Sequence, residues 1–281
     1  MTPHDVLKDI IRQMGKVLVG FSGGVDSTFL LYSCLEILKA DAVTAVVVDH
    51  PLMREGAVSD AVRTAGDMGA DVRTTALNPL LSGKVSGNSP DRCYHCKLLI
   101  FGKLTEMARS DGIPWVLDGT NADDVNEYRP GIAALQESGV RSPLREAGLT
   151  KDRIRELSRQ AGLPTWDRPS APCLATRFPY GTFLTKEEID RVRKGEKFLV
   201  DAGFPDLRLR VHSDGGSTVV RIEIPPDDMA RLFSGGLAEQ VVASLKGLGY
   251  RYITLDLEGL RSGSMDEALD LPDPGREDEP V

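Results

Sequence analysis

Lys16-Val17-Leu18-Val19-Gly20-Phe21-Ser22-Gly23-Gly24-Val25-Asp26-Ser27 passes from a short apolar run, through two adjacent glycines, into a helical pattern that begins at about Asp26 and continues to Lys39. Lys16 to Phe21 reads as a strand, and the six residues from Ser22 as the turn joining it to that helix. Gly23 and Gly24 let the backbone turn tightly and bring its N–H groups against a ligand, while the helix start adds the positive end of a dipole. An anion belongs at such a turn. The segment has neither the Gly-x-x-x-x-Gly-Lys-Ser/Thr form nor the Gly-x-Gly-x-x-Gly form of the two common phosphate-binding loops. The plainer reading is a strand-to-helix turn with Asp26 as a capping carboxylate.

Outward from the turn, apolar runs alternate with amphipathic stretches as in a parallel sheet with crossover helices. A helix near Thr2 to Met14 precedes the first strand. A valine-rich strand over Ala42 to Val48, a helix over Glu55 to Met68 and a strand over Asp71 to Leu77 follow the second helix. Asn78 to Arg92 reads as a loop, Lys97 to Ser110 as a helix and Pro114 to Asp118 as a fourth strand. The fold class is therefore α/β, a doubly wound parallel sheet whose ligands sit beyond the carboxyl ends of the strands. Asp118-Gly119-Thr120-Asn121, with Asp123 and Asp124, ends the fourth strand; a carboxylate there suits magnesium or a turn cap equally well.

Gly162 to Thr185 carries four prolines and marks a junction. Residues 1–165 form the first expected domain. Residues 166–265 form a smaller α+β domain, with a helix over Lys186 to Ala202, strands over Leu207 to His212 and Thr218 to Ile224, two further helical stretches and a strand over Tyr252 to Leu257. Residues 266–281 read as an acidic, disordered tail.

The 281 residues include 42 acids and 34 basic residues, a net charge of −8, with 41% hydrophobic and 27% charged residues. This is ordinary globular usage, and the acidic balance argues against nucleic acid as the main partner. No apolar stretch approaches the length of a membrane span and no signal layout opens the chain, so a cytoplasmic location is expected. Four cysteines do not make a disulfide scaffold in a chain of this length. Cys34 reads as a core thiol. Cys93-Tyr94-His95-Cys96 alone suits a redox pair, half a zinc site or two unrelated thiols. With Cys173 it makes three thiolates, the count for a 4Fe-4S cluster with one open iron, or else three unconnected cysteines.

Ser22 to Ser27 resembles the pyrophosphatase loop of the PP-loop ATP pyrophosphatase superfamily. That implies ATP bound by Ser22, Gly23, Gly24, Asp26, Ser27 and Thr28, with Gly119 across the crevice, magnesium on Asp26, and adenylylation of a substrate oxygen with release of pyrophosphate. Further segments, Asn126 to Gly131, Cys173 before Arg177-Phe178-Pro179-Tyr180-Gly181-Thr182, Arg208 to His212, Arg221 to Glu223, Gly249 to Leu257 and Arg261 to Gly263, are similar to the LarE family from the loop to about Met265. These are ATP-dependent sulfur transferases of nickel-pincer nucleotide synthesis, serving the lactate racemase cofactor. The resemblance implies a pyridinium-3,5-biscarboxylic acid mononucleotide substrate, activated as an acyl adenylate and converted to a thiocarboxylate, and a homo-oligomer. Catalysis then rests on Cys173, Asp26 and Ser27. In the simplest members the sulfur comes from one cysteine, the position of Cys173; Cys93 and Cys96 instead align this chain with a subgroup in which three thiolates hold a 4Fe-4S cluster fed by a sulfide donor.

Arg208 and Arg210 alternate along one expected strand, so both face one way, where guanidinium forks suit the mononucleotide phosphate; a solvated, ion-paired strand face is the other reading. A tRNA thiolase would need an extended basic surface. A protein that only binds nucleotide would release no pyrophosphate.

Overall fold

In the computed structural model, residues 2–125, 131–214, 217–261, 263–265 and 267 are described. The chain divides into two compact units, Met1–Cys173 with Phe183–Lys186, and Leu174–Thr182 with Glu187–Val281.

The first unit is built on four parallel strands, β1 (Val17–Gly20), β2 (Val43–Asp49), β3 (Asp71–Ala76) and β4 (Trp115–Leu117), in the order β3-β2-β1-β4. Val17 pairs with Val43 on one side and Trp115 on the other. β1 thus lies inside the sheet, and its alternating side chains enter two different cores. Val17, Val19, Val43, Ala45 and Val47 pack in one apolar cluster, Leu18, Val46 and Val48 in another. Burial on both faces explains runs that are apolar at every position rather than every second one. Helices α1 (Pro3–Arg12), α2 (Val25–Ile37), α3 (Ala57–Asp67), α4 (Gly83–Ser86), α5 (Arg92–Ser110), α6 (Gly131–Glu137), α7 (Pro143–Glu146) and α8 (Lys151–Gln160) complete the unit. Phe29, Leu30 and Leu31 of α2 are fully or almost fully buried, each contributing roughly 1.5–3 kcal/mol. This is the α/β parallel-sheet architecture expected.

Two local expectations change. The helix expected from Lys97 begins at Arg92, and the loop expected over Asn78 to Arg92 contains a short 3-10 turn (Pro79–Leu81) and α4. The first turn of α5 has no apolar periodicity because its polar side chains find local partners instead. Arg92 bonds Asn88, His95 meets Asp91 at 3.0 Å and Tyr94 donates to Glu137 at 2.6 Å.

The second unit carries α9 (Lys186–Asp201) from its second residue, β5 (Arg208–Asp214), β6 (Ser217–Glu223), α10 (Pro226–Leu232), α11 (Leu237–Gly247) and β7 (Tyr252–Leu255). β5 and β6 are antiparallel, β6 and β7 parallel, in the order β5-β6-β7. The family-like segment at residues 126–130 and, apart from residue 267, the tail at 266–281 lie outside the described residues.

Candidate active site

β1 ends at Gly20 and α2 begins at Val25, so the loop occupies the carboxyl edge of an interior strand. Gly23 has φ +73°, and a Cβ there would stand 3.1 Å from both Cα and Cβ of Ala61. Both requirements demand glycine. α2 has Gly24 at its N-cap with no side-chain cap, which leaves first-turn N–H groups facing outward for an anion. Asp26 therefore does not serve as the helix cap. Within the loop the Ser22 and Ser27 hydroxyls meet at 3.0 Å, and Ser27 also donates to the Gly24 carbonyl at 3.2 Å. Thr28 is fully buried, and among the described residues its hydroxyl has no partner. Gly119 packs backbone to backbone on the start of α2, where a Cβ would lie 2.9 Å from Ser27 N.

Ser22, Gly23, Gly24, Val25 and Asp26 form one wall of a cavity of about 360 Å³. His50, Leu52 and Met53, beyond β2, and the contiguous stretch from Arg168 to Cys173 line it as well. Three cations, Arg54, Lys151 and Arg168, face it against two acids, Asp26 and Asp60, which gives an acidic chain a locally basic cavity. Lys151 Nζ pairs with Asp26 Oδ2, while Asp26 Oδ1 is buried without a partner among the described residues. An orphaned carboxylate oxygen beside a phosphate loop suits magnesium. Ser27, Thr28 and Gly119 stand behind this wall and shape it rather than line it.

The acids after β4 are already engaged. Asp118 accepts the hydroxyls of Thr120 and Ser142, each at 2.5 Å, Asp124 accepts the Asn121 N–H at 3.0 Å and Asp123 the Lys151 N–H at 2.7 Å. Asp124 caps its own turn, whereas Asp118 and Asp123 tie this segment to Ser142 and to the start of α8.

The earlier start of α5 places Cys93 and Cys96 one helical turn apart on one face. The Cys96 thiol is pushed up to about 12, first by burial and then by the charges of Cys173 and Cys93, with Arg92 and Lys97 acting the other way. All three thiols are thus electrostatic neighbours in the first unit, and none is in a disulfide. Among the described residues no three His, Cys, Asp or Glu side chains converge as ligands of a single ion. A 4Fe-4S cluster asks for something different, since each thiolate binds its own iron. Cys93, Cys96 and Cys173, whose charges act on one another, are the thiols that such a cluster would use. Cys34 is fully buried and its thiol is likewise pushed up to about 12 by burial.

In the second unit Arg208 and Arg210 share β5 with Arg177 nearby. Arg210 Nε donates to Glu223 at 2.9 Å and its Nη1 to the Thr176 carbonyl at 2.6 Å; Arg177 Nε reaches Glu196 at 2.6 Å. Burial, followed by the charge of Arg177, lowers Arg208 to about 10, so it remains a cation at neutral pH.

Lys151, Arg168 and Glu196 were not singled out by the sequence, and Arg177 only as part of a longer family-like segment. One signal was available: Lys151 opens α8 behind the Thr150 cap, where a cation opposes the helix dipole. A buried pair such as Arg177–Glu196, separated by 19 residues, has no local signature.

Residues 3–67 match the PP-loop domain family. The chain is 38% identical over 268 residues to the pyridinium-3,5-bisthiocarboxylic acid mononucleotide synthase of Lactiplantibacillus plantarum, covering 95% of each. It is 35% identical to an uncharacterised protein of Synechocystis, over 94% of this chain and 96% of that one. A protein of Methanocaldococcus jannaschii is 27% identical, over 88% and 91%. With that extent of likeness along almost its whole length, the chain belongs to the LarE family of pyridinium-3,5-bisthiocarboxylic acid mononucleotide synthases.

Proposed function

We propose that this chain is an ATP-dependent sulfur transferase that converts the carboxylates of pyridinium-3,5-biscarboxylic acid mononucleotide to thiocarboxylates. One observation carries the reading: a single cavity is lined by the phosphate loop and by the segment that ends at Cys173. A substrate carboxylate oxygen attacks the α-phosphorus of ATP, and the bond to the β-phosphate oxygen breaks. Pyrophosphate leaves with its charge held by the loop N–H groups, the start of α2 and Lys151. Asp26 would hold the magnesium that neutralises those phosphates. A sulfur nucleophile then adds to the acyl carbon, and AMP departs with the electron pair of the broken C–O bond. Each carboxylate passes through this sequence once.

Cys93, Cys96 and Cys173 would hold a 4Fe-4S cluster. When bound, such a cluster leaves one iron to take sulfide from a donor and offer it for transfer. Arg208 holds the mononucleotide phosphate, while Arg210, buried and paired with Glu223, backs that face of β5. The chain works as a cytoplasmic homo-oligomer without nucleic acid; among the described residues no helix is long and apolar enough to cross a membrane.

A second reading has its own observation: of these three cysteines only Cys173 lines the cavity. In that case Cys173 surrenders its sulfur and becomes dehydroalanine. Iron analysis of oxygen-free protein and its intact mass after turnover separate the two. Bound iron that is lost on changing any one of the three cysteines to serine, with unchanged protein mass, supports the cluster. Iron-free protein that loses the mass of H₂S supports sacrifice.

A further inference from the structure

Arg168 Nη1 donates to the carbonyl of Gly23 at 2.7 Å, across 145 residues of sequence. A trans peptide is planar with its C=O and N–H pointing opposite ways, so fixing the Gly23 oxygen fixes the direction of the Gly24 N–H. Among the described residues that N–H otherwise has only the Ser22 hydroxyl at 3.4 Å, the outer edge of a hydrogen bond. Gly23 itself has φ +73°, and its backbone is of the freest residue type in the loop. One guanidinium therefore sets the orientation of an N–H group that an anion would use.

Arg168 is itself anchored from behind. Arg155 of α8 donates to the carbonyls of Trp166 at 2.8 Å and Arg168 at 3.0 Å, and the Arg159 guanidinium lies 5.3 Å from the Trp166 ring centroid. From this anchored turn the chain runs along the cavity wall through Pro169, Ser170, Ala171 and Pro172 to Cys173. Two prolines stiffen those few residues. The loop and the thiol-bearing segment are thus joined at Arg168, which lines the same cavity as both.

We infer that Arg168 is a positioning residue that ties the phosphate loop to the segment carrying Cys173. Anion readiness of the loop and placement of the thiol then depend on one hydrogen bond. The inference rests on the reading that ATP binds at this loop.

Arg168→Met, Arg168→Lys and Arg155→Met test it, with ATP affinity measured by calorimetry on the full chain and folding checked by circular dichroism. Arg168→Met weakens ATP about tenfold to a hundredfold, the range for losing a charge-assisted hydrogen bond. Arg168→Lys, with one donor kept, recovers part of that loss, and Arg155→Met shows a smaller one. In the unaltered protein freed of iron, saturating ATP slows iodoacetamide labelling of Cys173; in iron-free Arg168→Met, at ATP saturating for the variant, protection is weaker. Equal ATP affinity in folded Arg168→Met, or lysine no better than methionine, overturns the role of the bond. Equal protection at saturation overturns the link to Cys173. If Arg168→Met does not fold, the lysine and Arg155 variants decide, and affinity unchanged in both overturns the inference. An unaltered protein that binds no ATP removes the loop reading itself and this inference with it.

Discussion

Gly23→Ala and Gly24→Ala form a matched pair in which the same methyl group meets opposite fates. At residue 23 the backbone is left-handed, with φ +73°, which costs an L side chain roughly 1–2 kcal/mol. The new Cβ also meets Ala61 Cα and Cβ at 3.1 Å, and a helix backbone cannot yield as a flexible side chain would. Overpacking of this kind adds about 1–3 kcal/mol. Together they give a loss of about 2–5 kcal/mol, at least about 4 °C in Tm for a unit of this size. At residue 24 φ is −76°, and the added Cβ meets only the Ser22 hydroxyl, at an ordinary 3.5 Å. Its expected loss is about 0.5–1 kcal/mol, that of alanine replacing glycine at an N-cap. Thermal and urea unfolding of both variants, followed by fluorescence and circular dichroism, measure the contrast. A Gly23→Ala protein as stable as its Gly24→Ala partner would refute the steric account of the loop.

Asp26→Ala removes the carboxylate with the orphaned oxygen and the partner of Lys151; ATP-dependent pyrophosphate release should vanish while circular dichroism stays the same. Arg208→Ala should weaken mononucleotide binding by about 1.5–3 kcal/mol with ATP affinity unchanged, as read by calorimetry with each ligand. Arg210→Ala should cost stability too, since it removes a partner from the fully buried Glu223; breaking such pairs costs about 3–5 kcal/mol, which urea unfolding measures. In metal-free protein Cys96 should be alkylated more slowly than exposed Cys93 and should speed up with rising pH. Burial and two neighbouring thiols favour its neutral form, so the thiolate fraction grows only as pH climbs toward about 12.

The parallel sheet was readable because β1 and β2 are buried on both faces, and an unbroken valine run bounded by turns fits a two-sided strand better than a half-exposed one. The loop was readable because glycines must stand where φ is positive or a backbone approaches closely. The start of α5 was not: its first turn is held by Asn88, Asp91 and Glu137 rather than by an apolar stripe, so no period announces it. Arg168 was invisible for a related reason. Its partner is a main-chain carbonyl 145 residues away, and any residue type offers the same acceptor. The arginines on β5 were visible by their alternation, yet alternation could not tell that Arg210 is committed to buried Glu223.

Sulfur transfer is read by incubating oxygen-free protein with pyridinium-3,5-biscarboxylic acid mononucleotide, Mg²⁺-ATP and sulfide, and weighing the small-molecule product by mass spectrometry. Each carboxylate should exchange one oxygen for sulfur, with one AMP and one pyrophosphate formed per replacement. Nucleotide recovered unchanged from intact, iron-loaded protein, with no pyrophosphate released, would contradict it.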